Sequence, residues 1–275
     1  MSRPVIALLT DFGLRDHYVA AMKGVILGIV PDVTLVDITH EIAPQDVLSA
    51  ALELAACYRD FPPRSIFLVV VDPGVGTSRR PIAASAGEHV FVAPDNGVLG
   101  PVFEQQVPSI VVELTEREPA RPEISRTFEG RDRFAPAAAW LARGTDIRAL
   151  GPSVATFARL DVPQPRMGDR AVVGEVLKVD RFGNLISNID CRLLETVARD
   201  GAPVIRIGGH DVTRVVRTYG EVPRGGVCAL VGSSRYVEIA ATGDSAARLL
   251  DLERGARVVV AADRTALDAI EKGRA

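Results

Sequence analysis

Apolar runs of five or six residues, rich in β-branched side chains, recur through the first half of the chain at 5–9, 33–38, 66–71, 90–94 and 109–114. Runs this short suit buried strands better than helices. Between and after the first two lie YVAAMKGVILGIV (18–30) and VLSAALELAACY (47–58), whose longer apolar patterns predict helices. Pro31 stops the first, and Asp46 is placed to cap the second. A third helix is predicted over APAAAWLARG (135–144), with Pro136 in its first turn and Gly144 at its end. Strand and helix in alternation predict an α/β domain over 1–162, built on a mostly parallel sheet.

The pattern changes at LDVPQPRMGDR (160–170), a proline-punctuated polar stretch that contains the expected linker, 163–170. Beyond it come VVGEVLKV, NLISNI, VIRI, VTRVV, VCALV, YVEIA and RVVVA, separated by turn residues. Strands so short and frequent predict a smaller all-β domain over 171–275, a small barrel or a sandwich.

Composition narrows the function classes. With 275 residues, 47% of them hydrophobic, the chain can bury a full core. Its net charge of −3 provides no basic field for nucleic acid. No run reaches the roughly 18 apolar residues of a membrane span. The apolar stretch in MSRPVIALLTDFG is too brief for a secretory signal, so a cytoplasmic protein without membrane partners is expected. Cys57, Cys191 and Cys228 stand far apart in apolar segments, as reduced core thiols would, and the four histidines lack zinc spacing. Neither a metal nor a cofactor is expected.

Chemistry concentrates at the strand ends, where open α/β sheets bind ligands. FLVVVDPGVGT (67–77) resembles the start of a phosphate loop, yet its first polar residue is Asp72 and it lacks a G-K-[ST] ending. Asp11, Asp16, Asp37 and Asp95 fall at or after other strands. Acids gathered at one rim, with no lysine beside them, would repel phosphate and suit a metal, a sugar diol or an organic cation. Each aspartate alone is equally an ordinary turn or cap residue. TDFG (10–13) has no upstream glycine loop, V-A-I-K lysine or H-R-D loop, which removes a kinase reading.

Taken in order, LLTDFGLRDHYVAAMKG (8–24), VDITHEIAPQD (36–46), VVVDPGVGTSRR (69–80), TFEGRDRFAPAAAWLA (127–142), VDRFGNLISNI (179–189) and GSSRYVEIA (232–240) resemble the S-adenosyl-L-methionine (SAM) hydrolases, or SAM hydroxide adenosyltransferases. These are relatives of the fluorinase and chlorinase. The resemblance implies an α/β domain followed by a β-barrel-like domain, and a homotrimer whose sites lie between subunits. It also implies hydrolysis of SAM to adenosine and L-methionine. By position, Asp11 matches the aspartate holding the ribose hydroxyls and Asp16 one near the methionine amine. Asp72 and Arg79 match two members of a water-handling Asp-Arg-His set. Asp180 and Asn184 match contacts to the methionine amine and the nucleoside, while Ser234 and Arg235 match the methionine end. Phe182 and Tyr236 would offer apolar faces to the base, and Glu238 an acceptor for the adenine amine.

One position departs from the pattern: Glu129 stands where the third member should be histidine. A glutamate beside Asp72 would have its pKa raised and act as a base; alternatively the water set is impaired and the chain only binds SAM or adenosine. The remaining alternative is halogenation, which two carboxylates oppose by repelling a halide.

Overall fold

The computed structural model describes residues 3–115 and 124–272. They divide into two compact units that part between Asp161 and Val162.

The first unit contains β1 (Val5–Thr10), α1 (Tyr18–Ile29), β2 (Thr34–Thr39), α2 (Val47–Cys57), β3 (Ile66–Val70), β4 (Pro81–Ala86), β5 (His89–Pro94), α3 (Gly100–Gln105), β6 (Pro108–Glu113) and α4 (Ala135–Ala142). Its sheet runs β2-β1-β3-β5-β4-β6. The first four strands are parallel, and β4 lies antiparallel between β5 and β6. Side chains alternate across the sheet. Ile6, Leu8, Leu68 and Val70 meet Met22 and Ile26 of α1 and the alanines of α4 on one face. Ala7, Leu9, Phe67 and Val69 meet Ala51 and Leu54 of α2 and Val102 and Phe103 of α3 on the other. Strands covered on both faces have no polar side, which is why they read as unbroken apolar runs.

Both first helices start where expected, at Tyr18 and Val47, and each ends one residue short of its expected span. Asp46 caps α2, its Oδ1 accepting from the Ser49 N–H at 3.1 Å. Two features escaped the pattern. β4 reads PIAASA, half alanine, and is held by ladders to both neighbours rather than by β propensity. Before α4 the chain makes a π-helical turn, Gly130–Phe134, with Glu129 at its start.

The second unit contains β7 (Arg166–Met167), β8 (Ala171–Val179), β9 (Leu185–Asp190), α5 (Cys191–Val197), β10 (Val204–Ile207), β11 (His210–Val212), β12 (Val227–Val231), β13 (Tyr236–Ala241), α6 (Ala246–Leu250), β14 (Arg257–Ala261) and α7 (Arg264–Glu271). Its antiparallel strands run β11-β10-β14-β8-β9-β13-β12, with β7 on β8. The two ends almost meet: the Ala229 N–H donates to the Arg214 carbonyl at 2.8 Å, and the Val216 N–H to the Ala229 carbonyl at 2.9 Å. A nearly closed barrel results, filled by Val172, Val176, Leu185, Ile189, Ile205, Ile239 and Val260.

One expectation needs correction here. The predicted strand VTRVV (212–216) ends at Val212, and the rest contributes only that bridge. Helices α5, α6 and α7 decorate the barrel; Leu267 of α7 packs on Ala171, Val259 and Ala261. None of the three cysteines is in a disulfide, and Cys191 and Cys228 are buried. Among the described residues, no helix is long and apolar enough to cross a membrane.

Candidate active site

Asp72 leaves β3 two residues past its end, and the chain returns at Arg79 and Arg80 to start β4. The turn between them is closed by the Thr77 N–H and hydroxyl, both donating to the Gly74 carbonyl, the latter at 2.7 Å. Gly76 sits at φ +77° with the Arg126 carbonyl 2.7 Å from where a Cβ would be, so only glycine fits. This turn folds Arg79 back onto Asp72. Nε donates to Asp72 Oδ1 at 3.0 Å and Nη2 to Asp72 Oδ2, a two-pronged pairing that fixes the plane of both groups. The same Nη2 donates to Glu129 Oε2 at 2.8 Å, from the entrance to the π turn.

The three side chains are almost dry: 6% of Asp72, 7% of Arg79 and 12% of Glu129 is exposed. Phe134 lies under the guanidinium, 5.4 Å from its carbon to the ring centre. Arg79 Nη1 is buried with no hydrogen-bond acceptor among the described residues. Burial pushes the Asp72 carboxyl up, against the pull of Arg79, and the charge of Glu129 pushes it further. A polar cleft of about 580 Å³ opens beside the trio, lined by Thr77, Ser78, Arg80, Arg126 and Arg133 among others.

The remaining rim acids divide. Asp11 follows β1, next to β3 in the sheet, and its Oδ2 accepts from the Gln45 N–H at 2.8 Å. Asp16 is exposed in the loop before α1. Two others are engaged in structural pairs. Asp95 holds Arg80 at 2.6 Å, and Asp37 holds Lys23 at 2.6 Å, so a lysine does stand beside one of these acids. Burial is outweighed at Asp37 by Lys23 and His40, which keep its carboxyl below the usual range.

In the second unit, Asp180 and Asn184 lock one hairpin turn. Asp180 Oδ1 accepts from the N–H groups of Phe182 and Asn184, both at 2.8 Å, and its Oδ2 from the Asn184 side-chain amide at 2.9 Å. The turn holds Phe182 out into solvent, 77% exposed. A second turn joins β12 to β13 through Ser234 and Arg235, the latter at φ +66°. Arg235 Nη2 reaches Cys191 Sγ at 3.2 Å. Tyr236 opens β13, and Glu238, on the same strand, is buried. Glu238 faces away from solvent, accepting from the Tyr219 hydroxyl at 2.6 Å. Burial pushes the Glu238 carboxyl up, and burial next to that carboxyl pushes the Tyr219 phenol up. Sequence reasoning missed Tyr219; its only local signal is the capping box of Thr218 and Glu221 around it.

Comparison with known proteins follows this division. Residues 6–151 match the SAM hydroxide adenosyltransferase N-terminal domain, and residues 174–259 match the C-terminal domain of the same name. The chain is 40% identical over 262 residues to an "(R)-S-adenosyl-L-methionine hydrolase" of Salinispora tropica, covering 94% of this chain and 98% of that protein. To a protein of the same name from Thermus thermophilus it is 41% identical over 268 residues, covering 92% and 97%. A crystal structure of an uncharacterized conserved protein from Thermotoga maritima superimposes with a TM-score of 0.89 at 37% identity, covering 93% of this chain and 99% of that one.

Proposed function

Because this chain belongs to the SAM hydroxide adenosyltransferase family, we propose that it hydrolyses SAM to adenosine and L-methionine. The relatives are named for the (R) sulfonium epimer, and we take that epimer as the substrate. Sulfonium sulfur is pyramidal, so a site that aligns one epimer's C5′–S bond misplaces the other's substituents.

The observation that carries this reading is the shared guanidinium of Arg79, clamped by Asp72 and Glu129 in a nearly water-free setting. In the reaction, a water oxygen bonds to C5′ as the C5′–S bond breaks, and the bonding pair goes to sulfur. Methionine leaves as a neutral thioether and needs no acid. The water must shed a proton, and Asp72 accepts it; its raised pKa brings it nearer the range of an effective base. Arg79 fixes the direction of that carboxylate, and Glu129 offers a second acceptor for the water. Alignment of water with the breaking bond supplies the larger part of the acceleration. Two carboxylates around this position oppose a halide nucleophile.

Substrate binding is assigned as follows. Asp11 takes the ribose hydroxyls, while Asp16 and Asp180 neutralise the methionine amine. Asn184 contacts the nucleoside, Phe182 and Tyr236 flank the base, and Glu238 accepts from the adenine amine. Ser234 and Arg235 hold the methionine carboxylate. These residues fall in both units of the chain. The reading includes a homotrimer in which neighbouring subunits complete each site.

Incubation with each SAM epimer in chloride-containing ¹⁸O-water, followed by mass spectrometry, tests the reading. Labelled adenosine from the (R) epimer is expected. 5′-Chloro-5′-deoxyadenosine would make the protein a halogenase, and intact, tightly held SAM would make it a binding module.

A further inference from the structure

His40 is 3% exposed, lies just past β2, and has no part in the reaction described above. Its ring nevertheless sits in a chain of four side chains. Nδ1 is 2.8 Å from the hydroxyl of Thr10, the last residue of β1, which is fully buried. Nε2 lies 3.0 Å from Asp37 Oδ1 without making a hydrogen bond among the described residues, and the other oxygen of Asp37 is 2.6 Å from Lys23 Nζ. The Thr10 oxygen also accepts from the Phe12 N–H at 3.3 Å.

Hydroxyl, imidazole and carboxylate in series resemble a nucleophilic triad. Here the hydroxyl has no exposed surface and is bonded on both sides, so it cannot meet a substrate. The arrangement braces a loop instead. The His40 carbonyl accepts from the Gly13 N–H at 2.7 Å, while its ring holds Thr10, so one residue grips both ends of the stretch carrying Asp11. From the far side, the Gln45 N–H takes Asp11 Oδ2 at 2.8 Å. Asp11 Oδ1 makes none of the hydrogen bonds found among the described residues and is available to a ligand.

We propose that His40, its ring against Thr10 and its carbonyl holding Gly13, is a positioning residue that sets the Asp11 carboxylate for the ribose hydroxyls. The inference rests on the assignment of Asp11 made above. Its signature is selectivity for the sugar diol, a property that a general loss of packing would not single out.

The test compares binding of adenosine and 2′,3′-dideoxyadenosine by calorimetry. Wild-type protein is expected to favour adenosine by about tenfold or more, the worth of hydrogen bonds to a charged group. Asp11→Asn should abolish the preference. His40→Asn and Thr10→Val should each reduce it at least threefold, and Thr10→Ser, which keeps the hydroxyl, should retain it. Affinity for the dideoxy analogue should stay within twofold throughout. A preference intact in both His40→Asn and Thr10→Val, or equal loss for both nucleosides, overturns the inference and leaves the hydrolase reading standing. Wild-type protein without the preference also overturns it. Failure of wild-type protein to release adenosine from SAM overturns the hydrolase reading instead, and the nucleoside comparison still decides the role of His40.

Discussion

Asp72 and Glu129 share one guanidinium but differ in their expected behaviour. Asp72→Asn removes the proposed proton acceptor, and kcat should fall by about 10²–10⁴-fold. Only ionised Asp72 accepts a proton, and burial raises its pKa, so activity should decline on acidification while the pH is still above the ordinary aspartate range. A pH–kcat profile checks this; a decline confined to that ordinary range would separate Asp72 from the rate. Glu129→Ala should lower turnover roughly tenfold or more by removing the second acceptor, while Glu129→His should preserve or raise it. Equal rates in all three proteins, measured by adenosine release, would remove Glu129 from the chemistry. The sequence singles out these two residues because each stands within a distinctive short motif. The partners of the other acids were not legible, since Lys23 reaches Asp37 and Tyr219 reaches Glu238 across separate elements.

At the scale of elements, the turn between β3 and β4 sets the position of Arg79. Gly76→Ala should cost about 1–2 kcal/mol from left-handed backbone alone, and the Arg126 carbonyl leaves no room for the added methyl. Thermal denaturation reads the stability. The accompanying fall in kcat should be much larger than any change in KM, because a shift near 1 Å in a catalytic group costs on the order of 10²-fold. A variant with full kcat would show that the turn does not set the reaction geometry. Strands buried on both faces and capped helices could be read from periodicity. The alanine-rich β4, the π turn and the helices around the barrel could not, because ladders and tertiary packing decide them.

For the whole molecule, the proposed trimer predicts a solution mass near three times 29.4 kDa by light scattering. Phe182→Ser would test whether that exposed ring joins subunits or only faces the base. A stable monomer that still hydrolyses SAM would remove the shared-site arrangement. Two domains were readable from the change in rhythm near residue 160, whereas strand spacing alone left barrel and sandwich both open for the second, because closure rests on a bridge between distant segments. The acid and the arginine enter from β3 and β4, strands that lie on either side of β5. Their separation is therefore a property of three strands in register, and the loop alone does not encode it. Transplanting residues 72–80 into another scaffold would carry over the chemical groups without their spacing. A working graft would have to import the β4–β5 hairpin as well.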